Sequence, residues 1–246
     1  MIKNLITLTD YEKKLPHHEM IFVEGGEFDM GGSDVEARDN EKPVHRVRVS
    51  SFYIGKYPVT QALWQVVIGN NPSRFKGGGH PVENVSWDDA QIFIQKLNEK
   101  TGKTYRLPTE AEWEFAARGG LHSEGYLYVG SDKLKEVGWY EGNSGRETQP
   151  VGQKYPNELA IYDMSGNVWE WCDDWYSGEY YQKCAERDVV ENPTGPENGS
   201  LRVLRGGSWF SYPRTCRVAY RLNASPGYRG YDLGFRLALS APNDEK

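Results

Sequence analysis

Two carboxylates and three cysteines are the residues of this 246-residue chain best suited by type and spacing to chemistry. In IYDMSGNVWEWCDDWY, residues 161–176, Asp163 and Glu170 flank a turn at Ser165 and Gly166. That spacing can direct two carboxylates and the turn carbonyls into one small volume, the all-oxygen surrounding that calcium takes. The plainer alternative is a tight turn leading into an aromatic-rich strand. Cys172, Cys184 and Cys216 form neither a CxxC pair nor a zinc-ligand spacing, so they are one disulfide and a thiol, or three buried thiols. Glu110, Glu112 and Glu114 resemble a catalytic carboxylate cluster. However, Thr109 and Glu112 make a capping box, and acids are favoured in a helix's first turn, so the group reads as a solvated helix start. His17 and His18 lie in a polar segment and are expected to be solvated. No dinucleotide, Walker, HExxH or GxSxG motif is present.

The elements that would position these residues follow from periodicity. MIFVEGGEFDM, residues 20–30, alternates around a Gly-Gly turn and predicts a hairpin, and HRVRVSSFYIG from His45 continues the period of two. A short helix begins near Thr60. Ser86 can cap a second that turns Trp87, Ala90, Ile94 and Leu97 inward, and RLPTEAEWEFAARGG predicts a third that ends at Gly119. GGGH, residues 77–80, reads as a flexible connection. Beyond Gly120 loops dominate, with strand-like pieces at VWEWCDDW, LRVLRGG and GFRLAL. Strands, then helices, then irregular loops and strands describe a single α+β domain.

Composition narrows the function classes. The hydrophobic content of 38% and aromatic content of 13% are globular values, and the length can bury a sizeable core. A net charge of −6 offers no basic field for a nucleic-acid backbone. No apolar run reaches the length of a membrane span, and MIKNLITLTDYEKK lacks the apolar core of a signal peptide. A signal or lipid anchor absent from this sequence remains compatible with display on a surface.

Several ordered blocks carry a family resemblance. FVEGGEFDMGG, NEKPVHRV, PVTQALWQ, PVENVSWDDAQIFIQKLNEKTGKTYRLPTEAEWEFAARGG, DMSGNVWEWCDDWY, RVLRGGSW and GFRLAL together resemble the formylglycine-generating enzyme (sulfatase-modifying factor) superfamily over about residues 20–240. Residues 1–19 are then an N-terminal extension and 241–246 a tail. The resemblance implies a compact C-type lectin-like fold of the α+β class with much irregular structure. It also implies a structural calcium ion held by the side chains of Asp163 and Glu170 and the carbonyls of Gly166 and Val168. Enzymes of the superfamily oxidise a substrate cysteine with two cysteines, five residues apart, that bind copper. Here Cys216 holds the second position and Ser211 the first. A serine hydroxyl is a hard, neutral group where Cu(I) prefers thiolates, so copper and oxidase activity are expected to be lost. Cys172 is expected to pack against Cys216 or bridge to it.

A narrower resemblance lies in RGGSWFSYPRTCRVAYRLNASPGYRGYDLGFRLAL, residues 205–239, which is similar to the variable region of a diversity-generating retroelement's target protein. In such systems template adenines are copied with errors, so Asn codons become codons that exclude Trp, Met, Lys, Glu and Gln. The free positions are Phe210, Ser211, Tyr212, Arg214, Thr215, Tyr220, Leu222, Asn223, Ala224, Ser225, Gly227, Tyr228, Gly230, Tyr231 and Asp232, and none is an excluded type. Those five types supply 55 of 246 residues, so chance avoidance at fifteen positions has a probability of about 2%. Five of the fifteen are aromatic, four of them Tyr; with Ser, Asn and Gly they have the composition of a paratope. Gly206, Gly207, Trp209, Pro213, Pro226 and Phe235 are then framework, and Arg217, Val218, Arg221 and Arg229 should point inward or pin loops. The expected function is non-enzymatic ligand binding by a monomer, directed at a protein or other macromolecule at a cell or phage surface. The alternative is a cysteine-oxidising enzyme of the parent superfamily.

Overall fold

The computed structural model describes residues 7–241, and its elements run in the order expected of an α+β domain. Strands β1 (Met20–Val23), β2 (Gly26–Met30), β3 (His45–Val49) and β4 (Phe52–Gly55) come first, then helices α1 (Gln61–Ile68), α2 (Trp87–Thr101), α3 (Glu110–Ala117) and α4 (Leu134–Val137). Strand β5 (Trp169–Trp175), helix α5 (Tyr180–Ala185) and strands β6 (Val190–Glu191), β7 (Arg202–Arg205), β8 (Arg221–Ala224), β9 (Leu233–Gly234) and β10 (Ala238–Ser240) follow. Three small sheets result, with strand orders β1-β4-β10, β2-β3-β6 and β8-β7-β5-β9. The alternation of HRVRV buries His45, Val47 and Val49 and turns both arginines out to Glu27. β4 is buried at all four residues because β1 and β10 flank it, which joins the two ends of the domain.

Residues 20–30 do not form a hairpin. β1 pairs with β4 and β2 with β3, so the Gly-Gly step crosses between sheets. A Cβ on Gly25 would lie 2.6 Å from the Val49 carbonyl, a close backbone approach that only glycine permits. Alternation identified the strands, but it carries no information about their partners.

The helices start where their caps predict. Thr60 accepts from Leu63 N–H, and Ser86 with Asp89 and Thr109 with Glu112 form capping boxes. Ala90, Phe93, Ile94 and Leu97 enter the core, where the Trp64 ring stacks on Phe93 at 5.3 Å and Phe235 meets both rings edge-on. Trp87 stays half-buried at the helix start, donating to the Cys172 carbonyl at 3.1 Å.

Two expectations about charged segments are corrected. The described part of the N-terminal extension belongs to the domain: Leu15 joins the core, and buried Glu12 accepts from the Tyr105 hydroxyl and lies 3.0 Å from Lys103. His18 is buried beside it, 2.9 Å from the Tyr105 hydroxyl, and burial pushes its imidazole down from the ordinary value. Residues 1–6 and 242–246 lie outside the described residues. On α3, Glu110 and Glu114 face inward rather than into solvent, because buried arginines from the C-terminal third meet them.

Candidate ligand-recognition face

The region from Arg205 to Leu239 is held by four arginines, each at most 1% exposed. Arg205 reaches Glu114 at 2.5 Å and Glu110 at 3.3 Å, and also donates to the carbonyls of Val218 and Ala219. Arg221 grips Glu110 with two bonds of 2.6 and 2.7 Å, Arg217 reaches Glu41 at 2.7 Å and Asp34 at 2.8 Å, and Arg236 grips Glu170 at 2.6 and 2.7 Å. Every carboxylate partner comes from outside the region. Burial alone would raise the Glu114 carboxyl, but Arg118 and Arg205 outweigh it and hold the group below its usual range. Val218 is buried, and Arg229, although exposed, is pinned bidentately to Asp89 at 2.6 and 2.8 Å. Gly206 and Gly207 have φ of +95° and +78°, and a Cβ on Gly207 would sit 2.6 Å from the Cys216 sulfur.

Between these anchors the free positions divide. Phe210, Tyr212, Arg214, Ser225, Gly227, Tyr228 and Tyr231 are exposed, and Thr215, Leu222, Asn223, Ala224, Gly230 and Asp232 are half-buried. Leu222 and Ala224, on the sheet-edge strand β8, lean on the core. Ser211 and Tyr220 are buried, a correction to their expected exposure. The Ser211 hydroxyl accepts from Ser208 N–H at 2.9 Å, and the Tyr220 ring packs against Trp169 beneath the guanidinium of Arg38. Trp209 is half-exposed rather than core: it donates to the Tyr231 carbonyl at 3.0 Å and packs on Phe210, which brings two of the loops together. Burial raises the Asp232 carboxyl, which accepts from Ser208.

One contributor had no signal in the sequence. The loop between α1 and α2 carries Phe75 against Trp209 at 5.2 Å and the exposed Arg74 over the Tyr231 ring at 4.9 Å. Gln61 holds this loop with bonds to the Phe75 and Pro81 carbonyls, and buried Glu83 accepts from Phe75 N–H at 2.9 Å. Burial pushes the Glu83 carboxyl up to about 7. GGGH is part of this framework: His80 lies 3.1 Å from the Thr148 hydroxyl and its carbonyl accepts from Gln61 N–H. Irregular loops carry no periodicity, so only the burial of Glu83 and Gln61 reveals the design.

The expected calcium ligands do not fit a cation in this arrangement. Both Glu170 oxygens are committed, to Arg236 and to the Trp113 indole N–H at 2.7 Å, and a calcium ion there would face a buried guanidinium. Asp163 is buried with one oxygen accepting from Gly152 N–H at 2.7 Å and the other unpartnered, and burial pushes it up to about 6. Gly166 N–H donates to the Gly206 carbonyl, and Val168 is core. Among the described residues no three His, Cys, Asp or Glu side chains are grouped to hold a metal. Copper has no better fit at the Ser211 and Cys216 pair, where burial pushes the thiol up to about 12 and the partner is a hydroxyl. The cysteines are not bonded: Cys172, on β5, lies in a core cluster with residues of α3 and Val203 of β7, while Cys216 packs with Tyr128, Leu134 and Val137.

The fold and its C-terminal frame have relatives. Residues 7–241 match the sulfatase-modifying factor enzyme 1-like domain. The chain is 36% identical to a protein named chaperone protein LppX from Paenibacillus barcinonensis, over 90% of this chain and 89% of that one. It is 35% identical to the formylglycine-generating enzyme of Streptomyces coelicolor, covering 88% of each. Among solved structures, Treponema denticola variable protein 1 superposes with a TM-score of 0.81 at 36% identity, covering 90% of this chain and 95% of that one. No helix among the described residues is long and apolar enough to cross a membrane. With residues 7–241 matching the family's domain and its C-type lectin-like α+β fold reproduced, the chain belongs to the formylglycine-generating enzyme (sulfatase-modifying factor) family.

Proposed function

We propose that this protein is a ligand-binding member of the family whose recognition loops are diversified by a retroelement, and that it is not an oxidase. The observation that carries the reading is the division of residues 205–239: thirteen of the fifteen positions permitted by the codon rule reach solvent, while the intervening arginines are buried or ion-paired. Exposed Phe210, Tyr212, Tyr228 and Tyr231 supply contact area at low conformational cost, as tyrosines do in antibody paratopes. The likeness to variable protein 1 supports the same reading. The partner is a protein or other macromolecule met at a cell or phage surface. The acidic chain has no field to attract nucleic acid, and binding requires only one copy.

Sequencing the DNA beside this gene tests the reading. A reverse transcriptase gene is expected, with a repeat of the 3′ coding segment carrying adenines at the fifteen codons. A neighbourhood lacking both would overturn the diversification claim. The similarity to formylglycine-generating enzymes motivates a second assay. With Cu(I), oxygen and a sulfatase-type cysteine peptide, mass spectrometry should detect no conversion of the cysteine to an aldehyde, because Ser211 offers no thiolate and Cys216 is buried and protonated.

A further inference from the structure

Three buried polar side chains, Gln61, Ser73 and Glu83, close the loop between α1 and α2, and of these only Glu83 can ionise. Gln61 is fully committed: its Nε2 donates to the Phe75 and Pro81 carbonyls at 2.6 and 3.2 Å, and its Oε1 accepts from Asn71 Nδ2 at 2.8 Å and Gly77 N–H at 3.1 Å. The Ser73 hydroxyl bridges the two limbs of the loop, accepting from Glu83 N–H at 3.1 Å and donating to the Glu83 carbonyl at 3.3 Å. The Glu83 carboxyl is only half satisfied. Its Oε1 accepts from Phe75 N–H at 2.9 Å, whereas its buried Oε2 has no partner among the described residues.

A carboxylate removed from water is costly without a cation beside it and takes a proton instead. The charged groups that bear on Glu83 are Arg74 and Lys76, both exposed and both on its own loop. Arg74 lies over the Tyr231 ring at 4.9 Å, and Lys76 Nζ donates to the Asn71 carbonyl at 3.0 Å. The facing elements supply neutral groups: Gln61 from α1, and the Gly230 carbonyl, which accepts from Asn84 N–H at 2.8 Å. Burial therefore outweighs both cations and keeps the Glu83 carboxyl protonated up to about 7. Loss of that proton leaves a charge that only water or the loop's own cations can answer, and either requires residues 73–76 to move. Two aromatic contacts move with them, because the Phe75 ring packs on Trp209 at 5.2 Å and Arg74 on Tyr231.

We propose that residues 73–76 form a proton-operated element: closed on α1 and on the Trp209 and Tyr231 rings while Glu83 carries its proton, and open, with Arg74 drawn off Tyr231, once the proton is lost. The movement needs no ligand and holds whether or not the neighbouring loops form a recognition face. The closed form is fully favoured below the ordinary carboxylate value of 4.5, loses ground as pH rises, and levels off above about 7. Across that window linkage favours opening by up to about 300-fold, of which about tenfold falls between pH 6 and pH 8.

Amide hydrogen exchange of the full chain, read by NMR, tests it. The protection factors of Phe75 and Gly77 should fall about tenfold from pH 6 to pH 8, with no dependence on urea below the unfolding transition, as a local opening requires. The Glu83 carboxyl carbon signal should titrate near 7, and the Tyr231 ring protons should shift with the same midpoint as Arg74 leaves. Glu83→Gln keeps an acceptor for Phe75 N–H but cannot ionise, so it should stay closed and show none of these changes. A Glu83 carboxyl that titrates near 4.5, protection in the native chain that is constant with pH or that falls with urea as the whole fold does, or the same pH dependence in Glu83→Gln would each overturn the proposal.

Discussion

Within the 35 residues from Arg205 to Leu239, the buried arginines and the exposed tyrosines obey opposite rules. A guanidinium in the interior is costly unless every donor finds an acceptor. Arg217, Arg221 and Arg236 meet that condition, and Arg205 does at both terminal nitrogens though not at its unpartnered Nε, with carboxylates from α3, from β5 and from the segment between β2 and β3. The loops are thereby fastened to the body by bonds that involve no side chain of the exposed free positions; only the Arg214 carbonyl takes part, accepting from Arg217. Tyr212, Tyr228 and Tyr231 lie between the fastenings and contribute little packing. On the proposed reading, change would fall where little folding energy is held, and the fastenings would keep each loop in place while its surface changed.

Breaking a fastening should therefore have the largest effect. Arg236→Ala strands Glu170 in the interior and is expected to destabilise by about 3–5 kcal/mol, as is Arg221→Ala, which leaves Glu110 without its bidentate partner. Phe235→Ala, at the meeting of Trp64 and Phe93, should cost about 3–5 kcal/mol through the cavity it opens. Urea denaturation checks each, and a loss below about 1 kcal/mol would mean that the arginines are not fastenings. Tyr220→Ala belongs with this group: its ring is 4% exposed and should cost about 3 kcal/mol, unlike the other three tyrosines of the region.

The next effect separates the fixed loop from the free ones by pH. Glu83 is raised to about 7 from 4.5 and Asp163 to about 6 from 3.8, so the folded chain keeps these protons after the unfolded chain has lost them. Below the unfolded values both states are protonated and nothing is lost. As pH rises through the window up to about 7 the unfolded state ionises first, so stability falls and then levels off. Glu12 acts in the opposite sense: burial raises it, but bonds from Tyr105, Thr9 and Lys103 hold it at about 2, a contribution present above 4.5 and lost as pH falls toward 2. Glu83→Gln should remove on the order of 2 kcal/mol of the decline, read as denaturation midpoints at pH 5 and pH 8. An unchanged slope would show that Glu83 is ionised in the folded loop.

Local rules made the helices and most strands legible, because Thr60, Ser86 and Thr109 act through neighbours a few residues away. The hairpin reading failed because strand pairing is a long-range choice, and Glu110 and Glu114 were misread because their arginine partners lie about 90 to 110 residues further along. Within the face, the codon pattern names fifteen positions, but it is blind to depth. Ser211 and Tyr220 satisfy it and are buried. Arg74 and Phe75 lie against the face without satisfying any pattern. The calcium expectation transferred residue types faithfully, yet Arg236 already occupies the charge that Glu170 would offer.

The smallest effect on stability should accompany the largest effect on recognition. Tyr212, Tyr228 and Tyr231 are 59%, 54% and 47% exposed, so replacing Tyr212 or Tyr228 by Ala should shift stability by no more than about 0.5 kcal/mol, and replacing Tyr231 by no more than about 1 kcal/mol. Their hydroxyls make no hydrogen bond within the described residues, and the contact at risk is the Arg74 stack on Tyr231, an exposed cation–π pair worth about 0.5–1 kcal/mol. Randomising the fifteen codons one at a time on a displayed library, then selecting for protease resistance, reads this directly. The exposed positions should accept nearly any residue, whereas position 220 should retain aromatics and position 211 small hydroxyl-bearing residues. The same library, panned on any partner that the native chain captures, should lose binding at the three exposed tyrosines, where aromatic contacts contribute about 2 kcal/mol or more. Strong selection for folding at Tyr212, Tyr228 and Tyr231 would erase the division between fastening and face, and equal tolerance at Tyr220 would move the boundary inward.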